Sequence, residues 1–239
     1  MQSLVRGILY VICFFTIDRG VCMIKVIFSD MDGTLLDENS QLPAEFDEVM
    51  AELKKRGVIF APTSGRQYFA LLHQMGKYID DFLFLAENGA FSCYRGEEMF
   101  SSVIDKQEYM KVLNKALSLG NVYPVVSGKK KGYVLRHWEP FFGELDKYYT
   151  QAEYVDSFED IDDDFIKLAI ADNVEEDSVK NIWEPMSEVD TYLHRTLSSN
   201  VWVDYLNPEA NKGWAVRKVQ EKFGFKPEEC AAFGDYMND

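Results

Sequence analysis

Residues 23–37 read MIKVIFSDMDGTLLD, and this stretch decides the fold. The run KVIF is apolar, β-branched and aromatic without any polar alternation, and it stops abruptly at Ser29, Asp30 and Asp32. A short run of that kind belongs to a strand covered on both faces, as in a parallel sheet. Acids placed directly after it fall on the carboxyl edge of the sheet, where open α/β folds hold their ligands.

Working outward, short apolar runs alternate with helical periodicity. LPAEFDEVMAELKKRG at 42–57 predicts a helix with Pro43 in its first turn, Phe46, Val49, Met50 and Leu53 on one face, and Gly57 at its end. VIFAPTS at 58–64 is a second strand, and FLFLAENG at 82–89 a third. Between them, RQYFALLHQMGKY at 66–78 predicts a helix with Phe69, Leu72 and either Leu71 or Met75 turned inward. Such β/α alternation points to an α/β, Rossmann-like, doubly wound parallel sheet.

Past ENGA the texture changes. FSCYRGEEMFSSV at 91–103 predicts a hairpin around Arg95 and Gly96, and VYPVVSGKKKGYVLRH at 122–137 a second one turning between Ser127 and Gly132. KQEYMKVLNKALSLG at 106–120 and EEDSVKNIWEPMSE at 175–188 are expected helices, and FIKLAIAD at 165–172 and NVWVDYLN at 200–207 further strands. Hairpins mixed with helices describe an α+β module inserted into the first domain. NKGWAVRKVQEKFG at 211–224 and CAAFGD at 230–235 then restore the helix and strand of the parallel core. The expected organisation is a core of residues 23–87 and 204–239 with an inserted cap at 88–203.

Composition restricts the partners. Over 239 residues, 25 basic against 40 acidic side chains leave a net charge of -15, which repels nucleic acid and anionic lipid, so neither is expected as a partner. Cys13, Cys22, Cys93 and Cys230 are scattered, with no zinc spacing, as in reduced thiols of a cytoplasmic protein. GILYVICFFTI within residues 1–22 is too short to span a bilayer, which takes about 20 residues. It is either a secretory apolar segment or an extension upstream of a true start at Met23, and the second is favoured because MIKVIFSD opens a strand directly. Nothing in the sequence sets an oligomeric state.

In a parallel core, Asp30, Asp32, Ser64, Gly65 and Asp235, each just past an apolar run, converge on one edge. Carboxylates gathered there, Asp239 included, would repel one another unless a cation sat among them. With oxygen donors and no His or Cys, Mg²⁺ is expected before zinc. Lys212, opening its helix, adds a second positive charge.

DMDGTLLD, TSGR, NKG and GDYMND, in that order, resemble the four motifs of the haloacid dehalogenase (HAD) superfamily of phosphohydrolases. ENGA and the long insertion resemble its Cof-type branch, whose cap is of the C2B kind. The resemblance runs from Met23 to the last residue. It implies a Mg²⁺-dependent hydrolase of small phosphorylated metabolites, most plausibly sugar phosphates, with a mobile cap. Asp30 would be the nucleophile that takes the phosphoryl group, and Asp32 the general acid and then base. Asp30, the Asp32 backbone carbonyl and Asp235 would hold the metal, Asp239 reaching it through water. Ser64, with the Gly65 amide, would bind phosphate, Thr63 being the substitute because PTSGR departs from the usual motif. Lys212 would fix the phosphate and Asn238 orient the site.

Two further readings stay open: a phosphomutase of the same superfamily, or an inactive fragment binding phosphate and metal. The fragment is suggested because family members continue past GDYMND with a helix and another strand. On that expectation the sheet edge is bare, and Asn238 and Asp239 are frayed. SGKKKG is a substrate clamp or a solvated turn, VDSFEDIDDD a solvated loop, and His73, His137 and His194 surface or packing residues.

Overall fold

The structure, a computed structural model, describes residues 24–141, 149–172, 176–198, 200–235 and 239. Residues 1–22, Cys13 and Cys22 among them, and Asn238 lie outside the described residues. The chain forms two compact units, one of Met1–Gly65, Met75–Phe100 and Asn211–Asp239, the other of Arg66–Gln74 and Ser101–Ala210.

In the first unit, β1 (Val26–Ser29), β2 (Ile59–Pro62) and β12 (Cys230–Phe233) form a parallel sheet in the order β12-β1-β2. Val26 stands opposite both Ile59 and Cys230, and Ser29 opposite both Pro62 and Phe233. β1 is therefore hydrogen-bonded on both sides and buried throughout, as its unbroken apolar run predicts. Beyond β2, a parallel bridge between Thr63 and Leu85 brings in β3 (Leu83–Ala86). β3 pairs antiparallel with β4 (Phe91–Tyr94), which turns at Arg95 and Gly96 into β5 (Glu97–Ser101). That hairpin, expected within the insertion, pairs with the core strand β3, so the first unit runs on to Phe100.

Alternate side chains explain the covering on both faces. Val26, Phe28, Ala61, Leu83 and Leu85 pack with Ala215 and Val219 of the helix Lys212–Phe223. On the opposite side, Phe60 meets Phe46 edge-on at 5.8 Å and Phe82 at 5.0 Å. Phe46 belongs to α1 (Phe46–Lys55), whose buried residues are the expected Phe46, Val49, Met50 and Leu53. Gly57, at φ 69°, follows its end. Burying each such aromatic or aliphatic side chain contributes roughly 1.5–3 kcal/mol. In α2 (Tyr68–Met75), Leu71 and Met75 are buried completely, while Phe69 and Leu72 are only half-buried.

The second unit is a six-stranded sheet in the order β10-β11-β9-β6-β7-β8, from β6 (Tyr123–Gly128), β7 (Gly132–Leu135), β8 (Ala152–Val155), β9 (Phe165–Ala171), β10 (His194–Leu197) and β11 (Trp202–Leu206). Its pairs are antiparallel except β7 with β8. One face takes Tyr109, Val112, Leu113 and Ala116 of α3 (Lys106–Leu119) against Val126, Leu168, Ile170 and Tyr205. Asp105 caps that helix by accepting from the Gln107 and Glu108 amides, and Gly120 ends it in a left-handed conformation.

One expectation changes here. The 175–188 helix is instead a π-helical turn, Val179–Trp183, followed by a 3-10 turn, Pro185–Glu188. Pro185 has no amide hydrogen and its ring collides with the preceding turn, so a continuous α-helix cannot form. The basic tip and the acidic loop keep exposed side chains, Lys130, Lys131, Asp162 and Asp164 among them, and they meet each other. Asp163 accepts from the Lys130 amide and the Tyr133 hydroxyl, each at 2.9 Å, and Lys129 lies 3.5 Å from Asp164. Burial and Asp163 together push the Tyr133 phenol well above its ordinary pKa.

α4 (Lys212–Phe223) leads through Pro227–Glu229 into β12, and Glu229 fixes that entry. Its carboxylate accepts from the Lys226 amide at 2.9 Å and lies 2.7 Å from the Lys25 ammonium. These contacts, the amide first, hold Glu229 below its ordinary pKa of 4.5. A depressed carboxylate stabilises the fold above its unfolded pKa and loses that contribution as pH falls through the folded value. Glu229→Gln is therefore expected to speed hydrogen exchange at Ala231 to Phe233 at pH 7, and acidification below about pH 4 to do the same in the unsubstituted protein. Equal exchange in both proteins at pH 7 would show that Glu229 does not hold the strand.

Candidate active site

β1 delivers Asp30 to the carboxyl edge of the sheet. The Asp30 amide donates to the Phe233 carbonyl at 2.9 Å, which ties the strand tip to β12. The chain then turns sharply, with the amides of Leu35 and Leu36 both donating to the Met31 carbonyl. Gly33 occupies the left-handed region at φ 80°, and a Cβ there would lie 2.5 Å from the Asp235 carboxylate. Glycine is needed twice over, for backbone conformation and for room. The Thr34 hydroxyl donates to that same Asp235 carboxylate at 3.1 Å. Thr34 thus belongs to the site, although the sequence alone singled it out only as part of its motif.

Lys212 arrives from the opposite end of the sequence, at the first position of α4. Asn211 caps the helix by accepting from the Trp214 amide at 2.8 Å. The Lys212 ammonium, 7% exposed, donates to the Asp30 carboxylate at 2.5 Å and to the Asp239 carboxylate. Asp30 is itself only 9% exposed. Burial raises its pKa, and the Lys212 hydrogen bond and charge oppose that rise.

Asp30, Asp235 and Asp239 each present one oxygen, all within 4.8 Å of one another. Three carboxylates against one ammonium leave net negative charge at a point where two acids face solvent. An all-oxygen, partly open set of this kind fits a hard divalent ion such as Mg²⁺. Asp32 is exposed, and its carboxylate is not among the three, the role expected for it there being that of its backbone carbonyl. Asp239, expected to be frayed, is instead held by Lys212 and accepts from the Asp235 amide at 3.2 Å.

Ser64 is 2% exposed, its amide donating to the Leu85 carbonyl at 2.9 Å and its carbonyl accepting from the Asn88 amide at 3.0 Å. The Thr63 hydroxyl donates to the Ala61 carbonyl at 3.0 Å. Gly65 lies where a Cβ would come 2.9 Å from the Asn88 side chain. The ENGA turn has a structural task that the sequence left open. Glu87, Asn88 and Gly89 all have positive φ, and a Cβ on Gly89 would lie 2.6 Å from the Asn211 carbonyl. The turn therefore seats the start of α4, and with it Lys212.

The family profile described as haloacid dehalogenase-like hydrolase matches residues 27–239. The chain belongs to the haloacid dehalogenase-like hydrolase family. Among its relatives, 5-amino-6-(5-phospho-D-ribitylamino)uracil phosphatase YbjI of Escherichia coli (strain K12) is 28% identical over 220 residues, covering 90% of this chain and 80% of the relative. The phosphatase of the same description from Bacillus subtilis (strain 168), YcsE, is 25% identical over 230 residues, covering 94% and 82%. A solved Streptococcus mutans UA159 protein superposes with a TM-score of 0.77 at 25% identity, covering 90% of this chain and 82% of that one. A structure described as a HAD subclass IIB sugar phosphatase superposes at 0.70 and 21% identity, covering 90% and 82%, a likeness of fold. The chain is thus an enzyme of the phosphatase type, with the α/β fold expected.

Gly33→Ala is expected to displace Asp235 and weaken Mg²⁺ binding by at least about tenfold, measured by calorimetric titration. Unchanged affinity would remove Asp235 from the metal set. Lys212→Met leaves Asp30 buried without its partner, and should cost roughly 3–5 kcal/mol in urea unfolding without Mg²⁺. A loss below about 1 kcal/mol would mean that the pair behaves as an exposed one.

Proposed function

We propose that the protein hydrolyses phosphomonoesters of small metabolites, with Mg²⁺ as cofactor and Asp30 as nucleophile. The observation that carries this is the meeting of Asp30 with Lys212, 182 positions away in the chain, and with Asp235 and Asp239. A buried carboxylate pinned by one ammonium and flanked by two more acids is arranged for charge that changes hands there. Bound among these carboxylates, Mg²⁺ would supply compensating charge for nucleophile and phosphoryl oxygens.

Each remaining step belongs to the chain's own residues. Lys212 and Ser64 hold the phosphoryl oxygens, with the Gly65 amide assisting. An Asp30 carboxylate oxygen bonds to phosphorus as the ester P–O bond breaks, and Asp32 gives its proton to the departing alkoxide. Water then attacks the phosphorus and yields its proton to Asp32, while the Asp30 carboxylate leaves. One hard displacement becomes two easier ones. Asp32 is restored within the cycle, because the proton it gives to the alkoxide is replaced by the one it takes from water. Asn238 is assigned to orient Lys212, and the second unit to the cap role of selecting the leaving group. The names of the relatives from Escherichia coli and Bacillus subtilis, both phosphatases of a phosphorylated ribityl compound, favour a polyol or sugar phosphate as substrate.

Release of phosphate from p-nitrophenyl phosphate is expected to require Mg²⁺, to stop on chelation and to fall by at least about 10³-fold in Asp30→Asn. Equal rates in Asp30→Asn and the unsubstituted protein would exclude this mechanism.

A further inference from the structure

The first unit has a cavity at the amino edge of its sheet, the edge away from Asp30. All its lining residues belong to that one unit. Its volume is about 190 Å³, a little more than the apolar cavity of about 150 Å³ that accepts benzene. Met50 and Leu53 of α1, Phe60 of β2 and Phe82, just before β3, form its apolar wall. Lys54, Gly57 and Arg95 on its rim are all exposed, so the cavity opens to solvent. A Cβ added at Gly57 would meet nothing within 4 Å, which leaves the entrance clear.

Charge at the rim is unbalanced. Lys54 pairs with Asp81 at 2.8 Å, and that pair is neutral. Arg95 has no carboxylate partner among the described residues, and its guanidinium lies 5.0 Å from the centre of the Tyr94 ring. The rim of the cavity thus keeps one uncompensated cation, in a chain whose net charge is -15. The backbone at this arginine is also unusual. Arg95 and Gly96 both have positive φ, 54° and 76°, a two-residue hairpin turn that Asn-Gly ordinarily serves. Arginine enters the left-handed region against a steric penalty that glycine and asparagine largely escape. A residue held against its local preference beside an open cavity points to a use for its side chain.

We propose that this cavity is a second small-molecule site, which takes a single ring bearing one carboxylate. The ring lies against the apolar wall, and the carboxylate meets the Arg95 guanidinium, whose fork matches it with two parallel hydrogen bonds. One free cation suits a monoanion better than a phosphate, which carries about two charges. The length of β2, about 13 Å, separates this edge from the acids at the other end of the sheet. The site therefore differs from the phosphoryl site in both place and ligand, and it takes no part in the transfer.

Benzoate is the probe, titrated into the full chain with Mg²⁺ and followed by amide NMR shifts, with benzyl alcohol as its uncharged counterpart. Benzoate should bind with a Kd of about 1 mM or below and shift the amides of Leu53 to Ile59 and Tyr94 to Gly96. Benzyl alcohol should bind at least about tenfold more weakly. Arg95→Asn should weaken benzoate at least about tenfold while the melting temperature stays level or rises, since the turn then has its ordinary sequence. Val58→Phe, which fills the cavity from its half-buried rim and keeps Arg95, should exclude benzoate to the same extent. The site is ruled out if benzoate shifts no amide at this edge or only those around Asp30 and Lys212. Undiminished benzoate binding in Arg95→Asn or in Val58→Phe would rule it out as well.

Discussion

The contact between Lys212 and Asp30 is the constraint on which the first unit depends. Both groups are nearly excluded from water, and neither could stay charged there alone without a large desolvation cost. Their pairing forces the tip of β1 and the start of α4 to one place. The local devices serve that meeting: Asn211 caps the helix, the left-handed ENGA turn seats it, and Gly33 leaves room for Asp235. Because Lys212 also holds Asp239, the ammonium organises two carboxylates at once. The remaining negative charge suits a divalent cation.

A parallel sheet makes such a meeting economical. β1, β2 and β12 end on the same edge, so residues from distant parts of the chain converge without long loops. β1 is central and hydrogen-bonded on both sides, which makes Asp30 the most firmly placed of the acids. Asp32 lies beyond the strand in the turn and faces solvent. The two aspartates of one motif differ in environment, and the roles proposed for them differ accordingly.

Much of this was legible in the sequence. The apolar run before Asp30 gives the strand, the Phe46, Val49, Met50 and Leu53 spacing gives α1, and the order of acidic and basic motifs gives the candidate site. What could not be read depends on contacts distant in sequence. Nothing in SGKKKG says that Asp163 and Asp164 answer it across the sheet, and nothing in GDYMND says that Lys212 anchors the last aspartate. EEDSVKNIWEPMSE has helical periodicity, but the one proline at 185 outweighs it. The Arg95-Gly96 turn declares the β4–β5 hairpin, while the pairing of β4 with β3 depends on the left-handed turn at Glu87 to Gly89.

The most direct test of the central claim is to quench the enzyme in acid during turnover and map the phosphorylated peptide by mass spectrometry. One phosphoryl group on Asp30, formed only with Mg²⁺ present and absent in Asp30→Asn, is the predicted result. A phosphoryl group on another residue, or turnover of phosphate ester with Asp30 never modified, would contradict it.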